Sequence, residues 1–503
     1  MGEVHAGQHN KGFRLIEVMR KHYSFSLNGR ATGASAFVKN KTAHVLSTSN
    51  LWSVTENNSN NSWNVNFNNG NTNNNNKNNN NVGRAVSALG EEELEGWIEA
   101  ADDCCRNKKT GWHCTQFRIR EEVLVDLALA VKNRTYKPLV SECFVVKYPK
   151  LREIFAAHFL DRIVQHWITL RIEPLLEELF VKCGDVSFNC RKGYGTLRAV
   201  KYLKDGMERV TDGYGWDAWI GKFDLRSFFM TIDKGLLWGM LREFILTDYH
   251  GDDKDTLLYL SEITVRHRPQ DNCIRKGDLS LWDRLPSHKS LFTMDGMAIG
   301  NITSQILANF YLSGLDAWAY GWCNERGGCY VRFVDDMVVV LPQKEEVLEF
   351  YRLAGCYLGE KVRLRFHPDK VYVQHVKKGV KFIGSVLKPG RTYLSNRTVG
   401  RMFTMLQGME RNCRRRDVPS VERDVCSCNS YMGFLVHHAT YGLRRRMFGR
   451  MKRFWKMAYV SGHYTKVSLR KKLMYHNKVN GLWKRNLQVQ FPRRWNAMGV
   501  SEC

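Results

Sequence analysis

Apolar residues recur at helical spacing between Glu91 and Val131, at Leu94, Trp97 and Ile98 and again at Val123, Leu124, Leu127 and Leu129. That spacing predicts two helices with basic faces. The period then changes: Cys143-Phe-Val-Val-Lys-Tyr148 reads as a strand closed by Pro149, and Ile154 to Ile172 as a long helix that should end or kink at Pro174. Trp219-Ile-Gly-Lys-Phe-Asp-Leu225 reads as a strand leading into a helix, and Met297 to Leu315 as mostly helical after a glycine-containing lead-in. Tyr330-Val-Arg-Phe-Val-Asp-Asp-Met-Val-Val-Val340 has the pattern of a hairpin with two apolar arms and a charged tip. Beyond about Arg391 only helical patterns remain. Strands and helices in this order predict an α+β fold.

No sustained period precedes Ala85. Between Asn57 and Asn81, seventeen of twenty-five residues are asparagine, a composition that cannot build a core and reads as disordered. Folded sequence is expected to begin near Glu91.

Composition adds a partner. With 503 residues, 43% of them hydrophobic, the chain can bury a sizeable core in two or three domains. Lysine and arginine outnumber aspartate and glutamate by 76 to 50, and the resulting +26 favours a polyanion. The excess is concentrated: Val425 to Val500 contains no acidic residue, while sixteen lysines and arginines fall between Arg444 and Arg494. Trp455, Tyr459, Tyr464, Tyr475, Trp483 and Trp495 interleave with them, so this stretch offers phosphate contacts and stacking surfaces, or a helical pair with an aromatic core. The fourteen cysteines include no paired C-x-x-C set for zinc and read as reduced thiols of a cytoplasmic protein. Neither a secretory leader nor a run of eighteen apolar residues is present, so no membrane partner is expected.

The hairpin carries the chemistry. Adjacent like charges repel, and the pair Asp335-Asp336 at its tip calls for a cation. A third carboxylate, Asp224, ends another apolar strand. Phosphoryl transfer from a nucleotide uses two Mg²⁺ ions, one to activate the attacking hydroxyl and one to hold the triphosphate, and such hard cations take carboxylate oxygens. Asp224, Asp335 and Asp336 are therefore the expected catalytic and metal-binding residues.

These segments fall in the order of the reverse-transcriptase motifs, over roughly residues 90 to 450. Phe333-Val-Asp-Asp336 is similar to the [Tyr/Phe]-x-Asp-Asp box. Gly296-Met-Ala-Ile-Gly-Asn-Ile-Thr-Ser-Gln305, with Ala308-Asn309-Phe310-Tyr311-Leu312, resembles the reverse transcriptases of diversity-generating retroelements. So do Phe144-Val-Val-Lys-Tyr-Pro-Lys150, Arg152-Glu153 and Asp161-Arg162-Ile163-Val164-Gln165-His166.

The resemblance implies a right-hand polymerase: fingers with a helical extension at 86–215, palm at 216–390, helical thumb at 391–460 and a basic nucleic-acid-binding tail at 461–503. It implies that Lys150 and Arg152 grip the incoming triphosphate, as suits the guanidinium fork. Phe229 would exclude a ribose 2′-hydroxyl, Ile299, Gly300 and Gln305 would line the nucleotide and template base, and Lys370 would lie near the leaving pyrophosphate. Lys381, Phe382 and Gly384 match a primer-grip hairpin, and Arg162 and Arg191 are expected template contacts. Arg191-Lys-Gly-Tyr-Gly195 also reads as a plain loop, or as a backbone-lined phosphate contact. The implied partners are an RNA template, a DNA primer, deoxynucleotides and a small basic accessory protein.

Ile299 stands where most reverse transcriptases place a glutamine, and the resemblance ties that difference to misincorporation opposite template adenines. Asparagine codons, AAC and AAU, are adenine-rich, so residues 1 to about 85 read either as a translated template repeat or as a disordered arm. Two other readings share the scaffold: a group II intron, retron or phage-defence reverse transcriptase, and a non-catalytic RNA-binding protein.

Overall fold

The computed structural model describes residues 89–106, 122–147, 150–412 and 418–470. The asparagine-rich segment and the tail beyond residue 470 lie outside the described residues.

Both expected N-terminal helices form, α1 at Glu91–Cys105 and α2 at Glu122–Lys132, but their expected basic faces are corrected: α1 carries seven acidic residues and no lysine or arginine, and Lys132 is the only basic residue of α2. Three glutamates in the first turn of α1 complement its dipole, and Trp97 on its inner face stacks on Trp167 at 5.3 Å between ring centroids. Strand β1 is Ser141–Val146. Residues 154–156, expected to begin a helix, instead belong to strand β2, Arg152–Ala156, antiparallel to β1. Glu153 and Phe155 alternate inward there, a period of two that the helical reading missed.

Helix α3, Phe159–Lys182, does not stop at Pro174. Ile172, Leu176 and Phe180 keep one buried face continuous across the proline, and that burial offsets the hydrogen bond the ring removes. Next come α4 (Thr196–Val210), β3 (Trp219–Asp224), a single turn at Phe228–Thr231, α5 (Lys234–Asp248), α6 (Lys254–Arg266) and β4 (Cys273–Lys276). The segment from Met297 to Asn301 is not helical and turns at Ile299-Gly300 before α7 (Ile302–Tyr311) and α8 (Ser313–Glu325). The hairpin is as expected, β5 (Cys329–Phe333) and β6 (Asp336–Leu341), followed by α9 (Lys344–Lys361) and β7 (Tyr372–His375).

Strands β5-β6-β3-β7 make an antiparallel sheet of four, and β4 adds parallel to β1 in a separate sheet ordered β2-β1-β4. Every residue from Met337 to Leu341 is wholly buried because β6 is covered on both faces. Met337, Val339 and Leu341 join Phe223 and Phe350 in one core, while Val338 and Val340 join Ile220, Leu203 and Met207 in another. An unbroken apolar run is therefore what this strand requires. No helix among the described residues is long and apolar enough to cross a membrane.

The reading of the chain beyond about Arg391 as purely helical is corrected by strands at 391–394, 458–461 and 466–469. Strands β8 (Val380–Phe382), β9 (Ser385–Lys388) and β10 (Arg391–Leu394) form a three-stranded sheet before α10 (Asn396–Asn412), α11 (Val418–Leu435) and α12 (Tyr441–Gly449). A further hairpin follows, β11 (Ala458–Ser461) and β12 (Lys466–Leu469), whose Ala458 and Val467 sit in the same core as Met402 and Phe448 of the helices. Such strands are too short to show a period, and polar clamps hold the last hairpin and the segment before it against the helices. Asn429 exchanges two hydrogen bonds with the Val467 backbone, at 2.9 and 2.8 Å, and Glu410 accepts the backbone N–H groups of Lys452, Arg453 and Phe454.

Candidate active site

Strand pairing brings the three aspartates together. Asp224, the last residue of β3, is the cross-strand partner of Asp336, the first of β6, and Asp335 lies in the two-residue turn between β5 and β6. The Leu225 amide donates to the Asp335 carbonyl at 3.2 Å, closing the turn against β3. Burial, then the neighbouring Asp224 and Asp336, push the Asp335 carboxyl up to about 6.

Lysines offset part of this charge. Lys370 Nζ lies 2.6 Å from Asp224 Oδ2, and Lys222 Nζ lies 3.1 Å from Asp336 Oδ1 and 3.2 Å from the Lys381 carbonyl. Asp224 Oδ1 is buried without a hydrogen-bond partner. Among the described residues no three carboxylate, imidazole or thiol groups stand together as a ready metal cage, so coordination here would require the lysines to withdraw. The donor set fits that exchange: hard oxygens, an orphaned carboxylate oxygen and a carboxyl whose ionised form is disfavoured by burial and two neighbouring aspartates suit a hard divalent cation.

The neighbouring loop is clamped at both glycines. Met297 N–H donates to the Phe229 carbonyl at 2.7 Å, and Phe155 N–H to the Ile299 carbonyl at 2.9 Å. A Cβ on Gly296 would stand 2.2 Å from the Phe229 oxygen, and one on Gly300, at φ +131°, would stand 2.5 Å from the Phe155 oxygen. Only glycine lets the two backbones approach so closely. The loop thus spans from β2 to the turn after β3, and half-buried Ile299 packs against a cluster of Cys143, Phe155, Met230, Leu291 and Ala298. Phe229, also half-buried, meets Phe228 edge-on at 5.4 Å.

Other expected residues fall around this centre with different exposures. Lys150 and Arg152 are exposed at the start of β2. Gln305 is exposed on the first turn of α7, where its Oε1 accepts from Cys190 Sγ at 3.1 Å. On the β8-β9 hairpin Lys381 is exposed and Phe382 wholly buried, and Gly384, at φ +86°, lies against the Phe434 ring. Arg162 turns back on its own chain, Nε donating to the Ala157 carbonyl at 2.8 Å.

Arg191 is not where a template contact would be. Its side chain is wholly buried, paired with Glu177 and Asp185 at 2.9 Å each and stacked 3.7 Å from the Tyr194 ring. Its charge is spent on holding the 187–195 loop, so what that loop can offer a phosphate is backbone. Sequence reasoning assigns no role to Glu153 or Arg332, which appear only within motifs. Glu153, fully buried beside exposed Arg152, accepts from Ser290 Oγ at 2.6 Å and Leu291 N–H at 2.7 Å, anchoring the 287–296 segment to β2. A charged residue at an inward strand position was the available signal in both cases.

Residues 147–387 match the family described as reverse transcriptase (RNA-dependent DNA polymerase). The chain is similar to Protein YkfC of Escherichia coli (strain K12), 25% identical over 266 residues, which are 47% of this chain and 62% of that protein. It therefore spans less than two thirds of the length of the curated relative it matches. Among solved structures it is similar to apo telomerase from Candida tropicalis truncated from its C-terminal domain (11% identity, 53% of this chain and 58% of that one, TM-score 0.37). It is also similar to telomerase from Candida albicans in complex with a fragment of telomeric RNA (12% identity, 67% and 61%, TM-score 0.37).

Proposed function

We propose, on the premise that residues 147–387 match the reverse transcriptase family, that the chain extends a DNA primer along an RNA template with deoxynucleotides, using Asp224, Asp335 and Asp336. The observation that carries this reading is the pairing of Asp224 with Asp336 across β3 and β6, with Asp335 in the turn beside them. Asp224 and Asp335 would hold two Mg²⁺ ions, with Asp336 in support. Bound there, the ions would activate the primer 3′-hydroxyl and neutralise the triphosphate and leaving group. The chain's own part would be positioning: Lys370 would follow the leaving phosphates, Phe229 would close the sugar side of the nucleotide, and exposed Lys150 and Arg152 would reach its phosphates. Lys222 and the Lys381 carbonyl tie the primer-side hairpin to Asp336.

In this reading residues 86–215 serve as fingers, 216–390 as palm and 391–460 as thumb, with a basic stretch beyond. Primer extension on poly(rA)/oligo(dT) tests it. Product from the wild-type chain and none from Asp335→Ala is the expected result, whereas an idle RNA binder gives none from either.

The finer proposal is the enzyme of a diversity-generating retroelement, which copies a template RNA with errors at adenines so that the cDNA can replace a variable repeat, helped by a small basic accessory protein. Its support is Ile299, an aliphatic side chain that cannot hydrogen-bond a nascent base pair, in a loop clamped too tightly to move aside. Ile299→Gln should lower misincorporation opposite template adenine by about tenfold, the scale of one hydrogen-bonded discrimination. Sequencing of cDNA from a defined template reads this directly, and an unchanged error spectrum would refute the link. If residues 1–85 are a translated template, the gene lies near a second copy of that segment differing mainly at adenines.

A further inference from the structure

Behind the Asp335-Asp336 turn lies a guanidinium that the proposed reaction does not use. Arg332, on β5, has no exposed side-chain surface. Its Nε and Nη2 donate to the two oxygens of Asp316, at 2.8 and 2.5 Å, so its charge is balanced by one carboxylate, which also accepts from Tyr330 Oη at 2.9 Å. The remaining nitrogen points elsewhere: Nη1 donates to Asn309 Oδ1 and to the Val334 carbonyl, both at 3.1 Å.

Val334 is the residue whose conformation makes the turn. At φ +60° it is a β-branched side chain in the left-handed region, a conformation that persists only where surroundings over-determine it. The bond to Arg332 is one such constraint, two atoms from the Asp335 nitrogen.

Arg332 is also tied in the opposite direction. Its N–H donates to the Val186 carbonyl at 2.9 Å and its carbonyl accepts from Phe188 N–H at 3.1 Å, while Asn309 Nδ2 donates to the Asn189 carbonyl. The next residue, Cys190, reaches Gln305. One buried residue therefore joins the turn bearing two of the aspartates to the 186–190 segment, by its backbone to Val186 and Phe188 and by its side chain, through Asn309, to Asn189.

We propose that Arg332 is a positioning residue that sets the Asp335-Asp336 turn for metal binding and couples its geometry to the 186–190 segment on the template side. The inference rests on the reverse-transcriptase reading of the aspartates. Charge neutralisation alone would need only Asp316; the fork geometry of arginine is what reaches Asp316, Asn309 and the Val334 carbonyl at once, and a lysine ammonium cannot.

Arg332→Lys tests this because it keeps the ion pair and loses the fork. Mn²⁺ binding, followed by electron paramagnetic resonance without primer or nucleotide, should weaken by about tenfold, as one lost buried charge-assisted bond predicts. Turnover should fall about 100-fold for a misplacement of the carboxylates, with the KM for primer–template unchanged. Asn309→Ala, which removes one of the partners, should weaken Mn²⁺ binding in the same direction and decides the matter if Arg332→Lys does not fold. Leu358→Ala, a wholly buried core residue of α9, serves as the control for lost stability and should bind Mn²⁺ as the wild type does. Wild-type Mn²⁺ affinity in the folded Arg332 and Asn309 variants would reduce Arg332 to a packing role and overturn the proposal. Failure of the wild-type chain to extend a primer would instead count against the polymerase reading, since the Mn²⁺ measurement needs no turnover.

Discussion

Asp335→Asn should abolish primer extension and, in the absence of divalent metal, make the protein more stable. The carboxyl of Asp335 is raised from 3.8 to about 6 by burial and by the two aspartates beside it. A shift of about two units corresponds to about 3 kcal/mol against the ionised form. The folded value lies above the unfolded one, so the folded state binds the proton more tightly; stability is greatest below the unfolded value and is lost as pH rises through about 6. At pH 8 the whole penalty is present. Asparagine cannot ionise, so at pH 8 in EDTA the variant should gain up to about 3 kcal/mol, several degrees in midpoint, with the gain shrinking as pH falls towards 4. Added Mg²⁺ should stabilise the wild type more than the variant, because the ion favours the carboxylate that the empty fold penalises. Activity should fall by at least about 10³-fold, as for removal of a central catalytic group. A pH-independent midpoint difference in EDTA would show that this burial penalty is not what the turn stores.

The expected opposition between stability and activity also explains which features were legible from sequence. The aspartates were readable because function forces charges into apolar arms, where they contradict the local pattern, and the β5-β6 hairpin was readable from those arms. Gly296 and Gly300 stood out with the loop between them, though their reason, backbone meeting backbone, is visible only in three dimensions. Arg191 reads from sequence as a template contact because its partners, Glu177 on α3 and Asp185 after it, come near only once α3 has run through Pro174. Glu153 likewise shares its partners with the 287–296 segment, far along the chain. β2 was lost to a helix because five residues give too little of a period to compete with the strong helical pattern from Phe159 onward. Local pattern reveals elements and mismatched charges; it does not reveal which mismatch is paired inside and which faces a substrate.

Gly296→Ala and Gly239→Ala should move the protein in opposite directions. Gly239 lies exposed within α5, and a Cβ there would meet no atom within 4 Å, so alanine removes only backbone freedom and should stabilise by about 0.5–1 kcal/mol. Gly296 is buried, and its Cβ would stand 2.2 Å from the Phe229 carbonyl oxygen and 2.4 and 2.5 Å from the carbonyl carbon and Cα of Met230. These are backbone atoms of the single helical turn, Phe228–Thr231, that follows β3 and Asp224, and they cannot yield as a flexible side chain would. The added methyl must therefore push the loop and the turn apart, breaking the Met297-to-Phe229 bond of 2.7 Å. Overpacking of this kind costs about 3 kcal/mol. Catalytically it displaces Phe229 and Ile299 together, and a shift of about 1 Å at such positions should lower kcat/KM about 100-fold. Denaturant midpoints and single-nucleotide incorporation on the two variants read both effects. If Gly296→Ala retained wild-type incorporation, the loop would have a second way to pack, and the rigid clamp around Ile299 that supports its role at template adenines would not exist.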